Sequence, residues 1–215
     1  MKVWTIMPVK PLVRSKSRLA PVLTNAERER LSLGMLMHNI HLLKTIPEIA
    51  GTLIISRDTK VLAVVRDLGV STVQESGQPE LNSALTRATD LLRSWGVDAV
   101  LVLPTDLPLL AAEDVRQILH LGRFTSTVVI APDAEHDGTN ALLVNPPGIL
   151  EYSYGAGSFD RHIRNAELVG ATVQIYESER IAMDVDTPSD LERYLMLAEK
   201  YEVPVIDYHV LDPQN

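Results

Sequence analysis

A chain of 215 residues has room for one generous domain or two very small ones, and 46% hydrophobic residues exclude wholesale disorder. The lack of cysteine removes disulfides, thiolate metal sites and cysteine nucleophiles together, and a formal net charge of −8 argues against general nucleic-acid binding. No stretch approaches the roughly 18 apolar residues of a membrane span, and the opening apolar run is too short for a signal peptide, so a soluble, cytoplasmic chain is expected.

Val3 to Pro8 reads as a buried first strand, and the loop after it is unusual in charge. Lys2, Lys10, Arg14, Lys16 and Arg18 all precede the first acidic residue, Glu27, while the remainder holds 15 basic against 28 acidic residues. A basic opening loop on an acidic chain points to an anion held there, although a solvated surface stretch would look similar. Thr24 and Glu27 have capping-box spacing, and Leu33, Leu36, Met37, Ile40 and Leu43 follow at helical intervals until Pro47. Thr52–Ser56 reads as a strand, then a helix through Val61, Leu62 and Val65 closes at Gly69. Ser71–Gln74 is a third strand, and Asn82 is the expected cap of a helix with Leu85, Ala88, Leu92 and Trp95 on one face. Ala99–Leu103 is the most hydrophobic strand, followed by a helix over Ala111–Leu121 and a strand over Thr127–Ala131. After a turn at Gly138 come a strand Ala141–Val144, a helix Ser158–Val169, a strand Thr172–Tyr176 and a helix Pro188–Lys200.

Alternating strands and helices with short connections imply an α/β fold with a mainly parallel sheet and helices on both faces. No repeat or composition break marks a linker, so residues 1–215 read as one domain. The tail after Tyr201 is left open between an arm and a segment packed on a partner, such as a second copy in a homodimer. In such sheets, ligands bind beyond the carboxyl ends of the strands. The basic loop, the segment Glu75–Asn82 and the segment Pro104-Thr105-Asp106 each follow a strand, so all three should open toward one edge.

Asp106 is well placed to hold Mg²⁺, a hard ion that prefers oxygen ligands. In an extended Asp184-Val185-Asp186, both carboxylates face one side and can meet the same cation. A plainer reading competes, because Thr187, Pro188 and Asp190 form a helix start whose dipole Asp186 would favour. Gly138-Thr139-Asn140 and Gly155-Ala156-Gly157-Ser158 allow close backbone approach, and Ser158 opens a helix whose amides can accept an anion. Arg161, His162 and Arg164 are expected to add positive charge there. An ordinary glycine turn with a serine cap is the bland alternative. There is no Gly-x-Ser-x-Gly elbow and no convincing histidine metal spacing.

Taken together, six segments in order resemble the guanylyltransferases of deazaflavin coenzyme F-420 biosynthesis, which act on 2-phospho-L-lactate or phosphoenolpyruvate. They are Pro8-Val9-Lys10-Pro11 with Lys16-Ser17-Arg18-Leu19, Glu80-Leu81-Asn82-Ser83-Ala84-Leu85, Asp106-Leu107-Pro108-Leu109, Gly138-Thr139-Asn140-Ala141-Leu142, Gly155-Ala156-Gly157-Ser158-Phe159 with His162, and Asp184-Val185-Asp186-Thr187-Pro188 with Asp190-Leu191. The resemblance implies a Rossmann-like mixed sheet similar to nucleoside-diphospho-sugar transferases. It implies that Lys10, Lys16 and Arg18 hold the triphosphate of GTP, that Gly77, Leu81, Asn82 and Ala84 lie by the guanine, and that Asp106, Asp184 and Asp186 bind Mg²⁺. Thr139, Gly155 and Ser158 would contact a phosphorylated three-carbon acid, with phosphoenolpyruvate favoured over 2-phospho-L-lactate and 3-phosphoglycerate. A spacer residue usual before Gly-Thr is missing at Asp137-Gly138-Thr139, which leaves the acceptor loop less defined. Two rivals remain. Another nucleotidyltransferase would be expected to open with a Gly-rich loop, and a non-catalytic nucleotide-binding module would be expected to have lost its metal carboxylates.

Overall fold

Side chains of the first strand alternate between two apolar layers, and that alternation decides which helices cover which face. Strand β1 (Val3–Val9) sends Val3, Met7 and Val9 to one side and Ile6 to the other. The same division recurs in β4 (Ala99–Val102), with Leu101 on the first side and Val100 and Val102 on the second. The structure, a computed structural model, describes residues 1–76 and 80–209. Seven strands form one sheet in the order β3-β2-β1-β4-β6-β5-β7, with β2 Ile49–Ser56, β3 Ser71–Gln74, β5 Thr127–Pro132, β6 Thr139–Asn145 and β7 Thr172–Ile175. Every recorded pairing is parallel except the two made by β6. Because β6 runs backwards, its first residues, Thr139 and Asn140, lie at the edge where the other strands end.

Helices α1 (Asn25–Lys44), α2 (Thr59–Arg66) and α4 (Ala112–Leu121) cover the first face through Leu36, Ile40, Val61, Val65, Val115 and Ile118. Helices α3 (Leu81–Ser94) and α5 (Ser158–Leu168) cover the second through Leu85, Ala88, Leu92 and Ala166. Burial on both faces explains why the central strands read as continuous apolar runs. The expected elements are all present, and the Thr24–Glu27 capping box opens α1 as predicted. One cap differs. Glu80, not Asn82, caps α3, its carboxylate accepting from the Asn82 and Ser83 amides at 2.9 and 2.6 Å.

A third apolar cluster joins the outer side of α1 to α6 (Pro188–Lys200) and to the segment after it, through Leu31, Met35, Tyr194, Val203, Ile206 and Tyr208. The Ile206 amide donates to the Tyr194 hydroxyl at 2.9 Å. Gly34 lies so close beneath Ile206 that a Cβ there would come within 2.4 Å of its Cγ2. Through Tyr208, the tail therefore packs on its own chain instead of extending as an arm.

The segment from Tyr176 to Asp186 has no strand and only a turn, yet it is anchored. Asp114 on α4 is fully buried. Its carboxylate accepts from the Ala111 amide (3.1 Å), the Tyr176 hydroxyl (2.9 Å), the Ser178 hydroxyl (2.8 Å) and two Arg180 nitrogens (2.7 and 2.9 Å). A buried carboxylate with this many donors is stabilising only while all are present, and removing it leaves the guanidinium with Glu113 alone, at 3.4 Å. Asp114→Ala is expected to lower the unfolding free energy by about 3 kcal/mol in urea denaturation. A loss below about 1 kcal/mol would show that Asp114 does not anchor the segment.

Candidate active site

Three distant segments meet at one ammonium group. Lys16 lies in the loop after β1, Asp106 in the loop after β4, and Asp186 just before α6. The Lys16 Nζ donates to Asp106 Oδ2 at 2.7 Å and to Asp186 Oδ1 at 2.9 Å, and only 7% of the lysine side chain is exposed. Lys16 adopts the left-handed conformation, φ 51° and ψ 38°, which disfavours a side-chain-bearing residue by roughly 1 kcal/mol. The two ion pairs, and the Leu19 amide donating to its carbonyl at 2.9 Å, hold it there.

The electrostatics are those of an acidic cluster with too few cations. Burial pushes the Lys16 ammonium down, but attraction to Asp106 and Asp186 outweighs it and holds the group above its usual range. Burial likewise raises Asp186, yet Lys16, with smaller help from Lys10 and Arg18, brings it below the ordinary carboxylate value. Asp184 is different. Burial, then the charges of Asp106 and Asp186, push it up to about 6, against a hydrogen bond from Asn140 Nδ2 at 3.3 Å. That same Asn140 amide donates to the Ile181 carbonyl at 2.9 Å and so fixes the loop that carries Asp184. Val185 between the two aspartates is fully buried on the opposite side, as an extended segment requires. The helix-start reading of this region also holds. Thr187 caps α6, and Asp190 accepts from the Asp186 and Thr187 amides at 3.1 and 2.7 Å. Asp186 itself faces Lys16.

Lys16 Nζ is a point cation between two carboxylates, with a third carboxyl raised by their proximity. Among the described residues, no group of three His, Cys, Asp or Glu forms a ready-made cage. An all-oxygen site that relies on substrate phosphates to complete it is the usual manner of Mg²⁺. The donor set fits that ion.

A second group lies at the start of β6 and α5. Thr139 Oγ1 is 3.0 Å from His162 Nδ1 and 3.3 Å from the Ser158 hydroxyl. The Ser153 amide donates to His162 Nε2 at 3.0 Å. Burial, then the Arg161 charge, push His162 down to about 4, so it does not add the expected positive charge. Arg161 is likewise committed, bonding the Ser153 carbonyl at 2.7 and 3.2 Å and also the Ala156 carbonyl. The amides of Ser158 and Phe159 are used internally, by the Gly155 and Asp137 carbonyls at 3.0 and 3.1 Å. The opening of α5 therefore offers an anion fewer free amides than its sequence suggests.

Asn82 joins this group to α3. Its side chain accepts from the Tyr154 amide at 2.7 Å and donates to the Tyr154 carbonyl at 3.4 Å, mimicking a strand partner. Freed from capping, it braces the loop at Tyr154 instead. Ala84 is buried in the apolar layer under α3, while Leu81 is half exposed at its start. Gly77 lies outside the described residues. A cleft of about 570 Å³ opens here between Glu80, Ser83, Arg87, Glu151 and Tyr154. It lacks every member of the Lys16 cluster. Lys10 and Arg18 are exposed at the rim of that cluster. No sequence signal marked the Asp114 anchor or the neutral state of His162, since both arise from burial across long separations.

The family profile described as "Guanylyl transferase CofC like" matches residues 1–203. The chain is 38% identical over 198 residues to a phosphoenolpyruvate guanylyltransferase of Rubrobacter xylanophilus, covering 90% of this chain and 93% of that protein. It is 36% identical over 200 residues to a 2-phospho-L-lactate guanylyltransferase of Methanothermobacter thermautotrophicus, covering 93% and 86% respectively. In fold it is similar to a crystal structure from Desulfovibrio desulfuricans G20 provisionally named a nucleotide-diphospho-sugar transferase. That match has a TM-score of 0.76 at 16% identity, covering 93% of this chain and 89% of the other. The mixed sheet, the cluster at its carboxyl edge and a profile match along nearly the whole chain agree: this protein belongs to the CofC-like guanylyl transferase family.

Proposed function

We propose that the enzyme transfers GMP from GTP to the phosphate of phosphoenolpyruvate, giving enolpyruvyl-diphospho-5'-guanosine and pyrophosphate, in coenzyme F-420 biosynthesis. The observation that carries this reading is the Lys16–Asp106–Asp186 cluster at the sheet edge, in a chain whose relatives bear that activity as their name. A phosphate-monoester oxygen of the acceptor attacks the α-phosphorus of GTP in line. A new P–O bond forms, the bond to the β-phosphate oxygen breaks, and pyrophosphate leaves with that electron pair. The second pKa of such a phosphate is about 6, so the nucleophile is already largely dianionic at neutral pH and requires no base. The difficulty is bringing two polyanions together.

Lys10, Lys16 and Arg18 would face the triphosphate, each supplying positive charge from the loop after β1. Asp106, Asp184 and Asp186 would hold Mg²⁺, which when bound supplies charge neutralisation and orientation of phosphate oxygens. Leu81 and the backbone around Asn82 would border the guanine, with Gly77 and Ala84 nearby. Thr139 would receive the acid, with Gly155 and Ser158 beside it; Ser158 would act through Thr139, since its hydroxyl donates to Thr139 and its amide to the Gly155 carbonyl. The relative from Methanothermobacter thermautotrophicus favours 2-phospho-L-lactate as the second reading of the acceptor.

Enzyme, Mg²⁺ and GTP incubated with each acid, followed by mass measurement, decide the acceptor. The expected product is the phosphoenolpyruvate adduct; an adduct with 2-phospho-L-lactate alone selects the second reading, and no adduct with either refutes the function. Asp106→Asn or Asp186→Asn is expected to lower Mg²⁺-dependent pyrophosphate release about a hundredfold or more, with the circular dichroism of the fold retained. Near-normal release would remove these carboxylates from the metal. Lys16→Ala should weaken GTP binding about tenfold to a hundredfold by calorimetric titration, and unchanged affinity would exclude the loop from the nucleotide site.

A further inference from the structure

We propose that His162 is a positioning residue that fixes the Thr139 hydroxyl as a hydrogen-bond donor to the anionic acceptor substrate. The inference rests on the acceptor assignment above and adds a polarity to it. A backbone N–H can only donate, so His162 Nε2, 3.0 Å from the Ser153 amide, must be an acceptor. The ring is fully buried and packs edge-on against Tyr154, with ring centroids 4.8 Å apart. Its low basicity in that setting keeps it neutral, so its single N–H proton sits on Nδ1. Nδ1 then donates to Thr139 Oγ1 at 3.0 Å. The Ser158 hydroxyl donates to the same oxygen at 3.3 Å.

Thr139 Oγ1 thereby has both lone pairs engaged, and its own hydrogen must point elsewhere. The structure records no protein acceptor for it among the described residues. Thr139 stands at the first position of β6, on the ligand edge of the sheet, and the next residue, Asn140, touches Asp184. A hydroxyl held as a donor suits a carboxylate or phosphate oxygen and mismatches a donor group. His162 also ties down the Ser153 amide, so one ring sets both the loop position and the direction of the Thr139 bond. Ser158, donating to Thr139, reaches the ligand only through its lone pairs.

Two measurements test this. In the uniformly ¹⁵N-labelled enzyme at neutral pH without substrate, a long-range ¹H–¹⁵N spectrum should show His162 as the Nδ1–H tautomer. His162→Phe, which keeps the ring packing, should raise the KM for phosphoenolpyruvate about tenfold to a hundredfold, with the KM for GTP within about twofold. Thr139→Val should do the same, and the double variant should be no worse than either single one, because the two residues act as one unit. An Nε2–H tautomer, or losses that add in the double variant, overturns the assignment even in a fully active enzyme. Absence of turnover by a wild-type enzyme with the Nδ1–H tautomer would refute the proposed acceptor chemistry instead.

Discussion

The ammonium of Lys16 ties together segments 90 and 170 positions apart, at the point where a parallel sheet leaves its loops free. Without it, Asp106 and Asp186 would face each other and Asp184 in a partly buried place where like charges repel strongly. With it, three loops share one geometry, and a lysine is held in a backbone conformation it would otherwise leave. Under the proposed function the cluster would meet cations and phosphate charge and would transfer no proton. Among the described residues no histidine bonds to it, and the buried His162 is bonded at both nitrogens.

The rest of the structure serves to deliver those carboxylates. Strand β4 carries Asp106 out of a fully buried apolar run. Asp186 arrives from an irregular segment that Asp114 anchors at its start and the capping box of α6 at its end. Asn140, on the reversed strand β6, braces the middle through Ile181 and Asp184. The reversed strand matters because it brings Thr139 and Asn140 to the same edge as the loops following the parallel strands. Asn82, Arg161 and His162 then hold the backbone from Ser153 to Ala156, so that loop is braced by α3 and α5 together.

Periodicity made the layered fold legible, because central strands and amphipathic helices announce themselves locally. The carboxylates and the basic loop were legible for a related reason, since their places just past strand ends follow from topology. What could not be read was partnership. Glu80 is the cap because α3 begins at Leu81, which places Asn82 inside the helix, and only the folded loop at Tyr154 shows what Asn82 does instead. His162 looks like one charge among three in the sequence; burial and the Ser153 amide make it a neutral donor. The tail, open between an arm and a partner segment, packs on α1 as far as Tyr208, where Gly34 leaves room for Ile206.

In the proposed reaction the protein supplies charge and position, while the acceptor phosphate itself is the nucleophile. The stereochemical course at the α-phosphorus decides this. With GTP bearing a single-handed sulfur substitution at the α-phosphate, one direct displacement predicts inversion of configuration in the guanylylated product. Retention would mean two displacements through a guanylylated side chain, and would contradict the account.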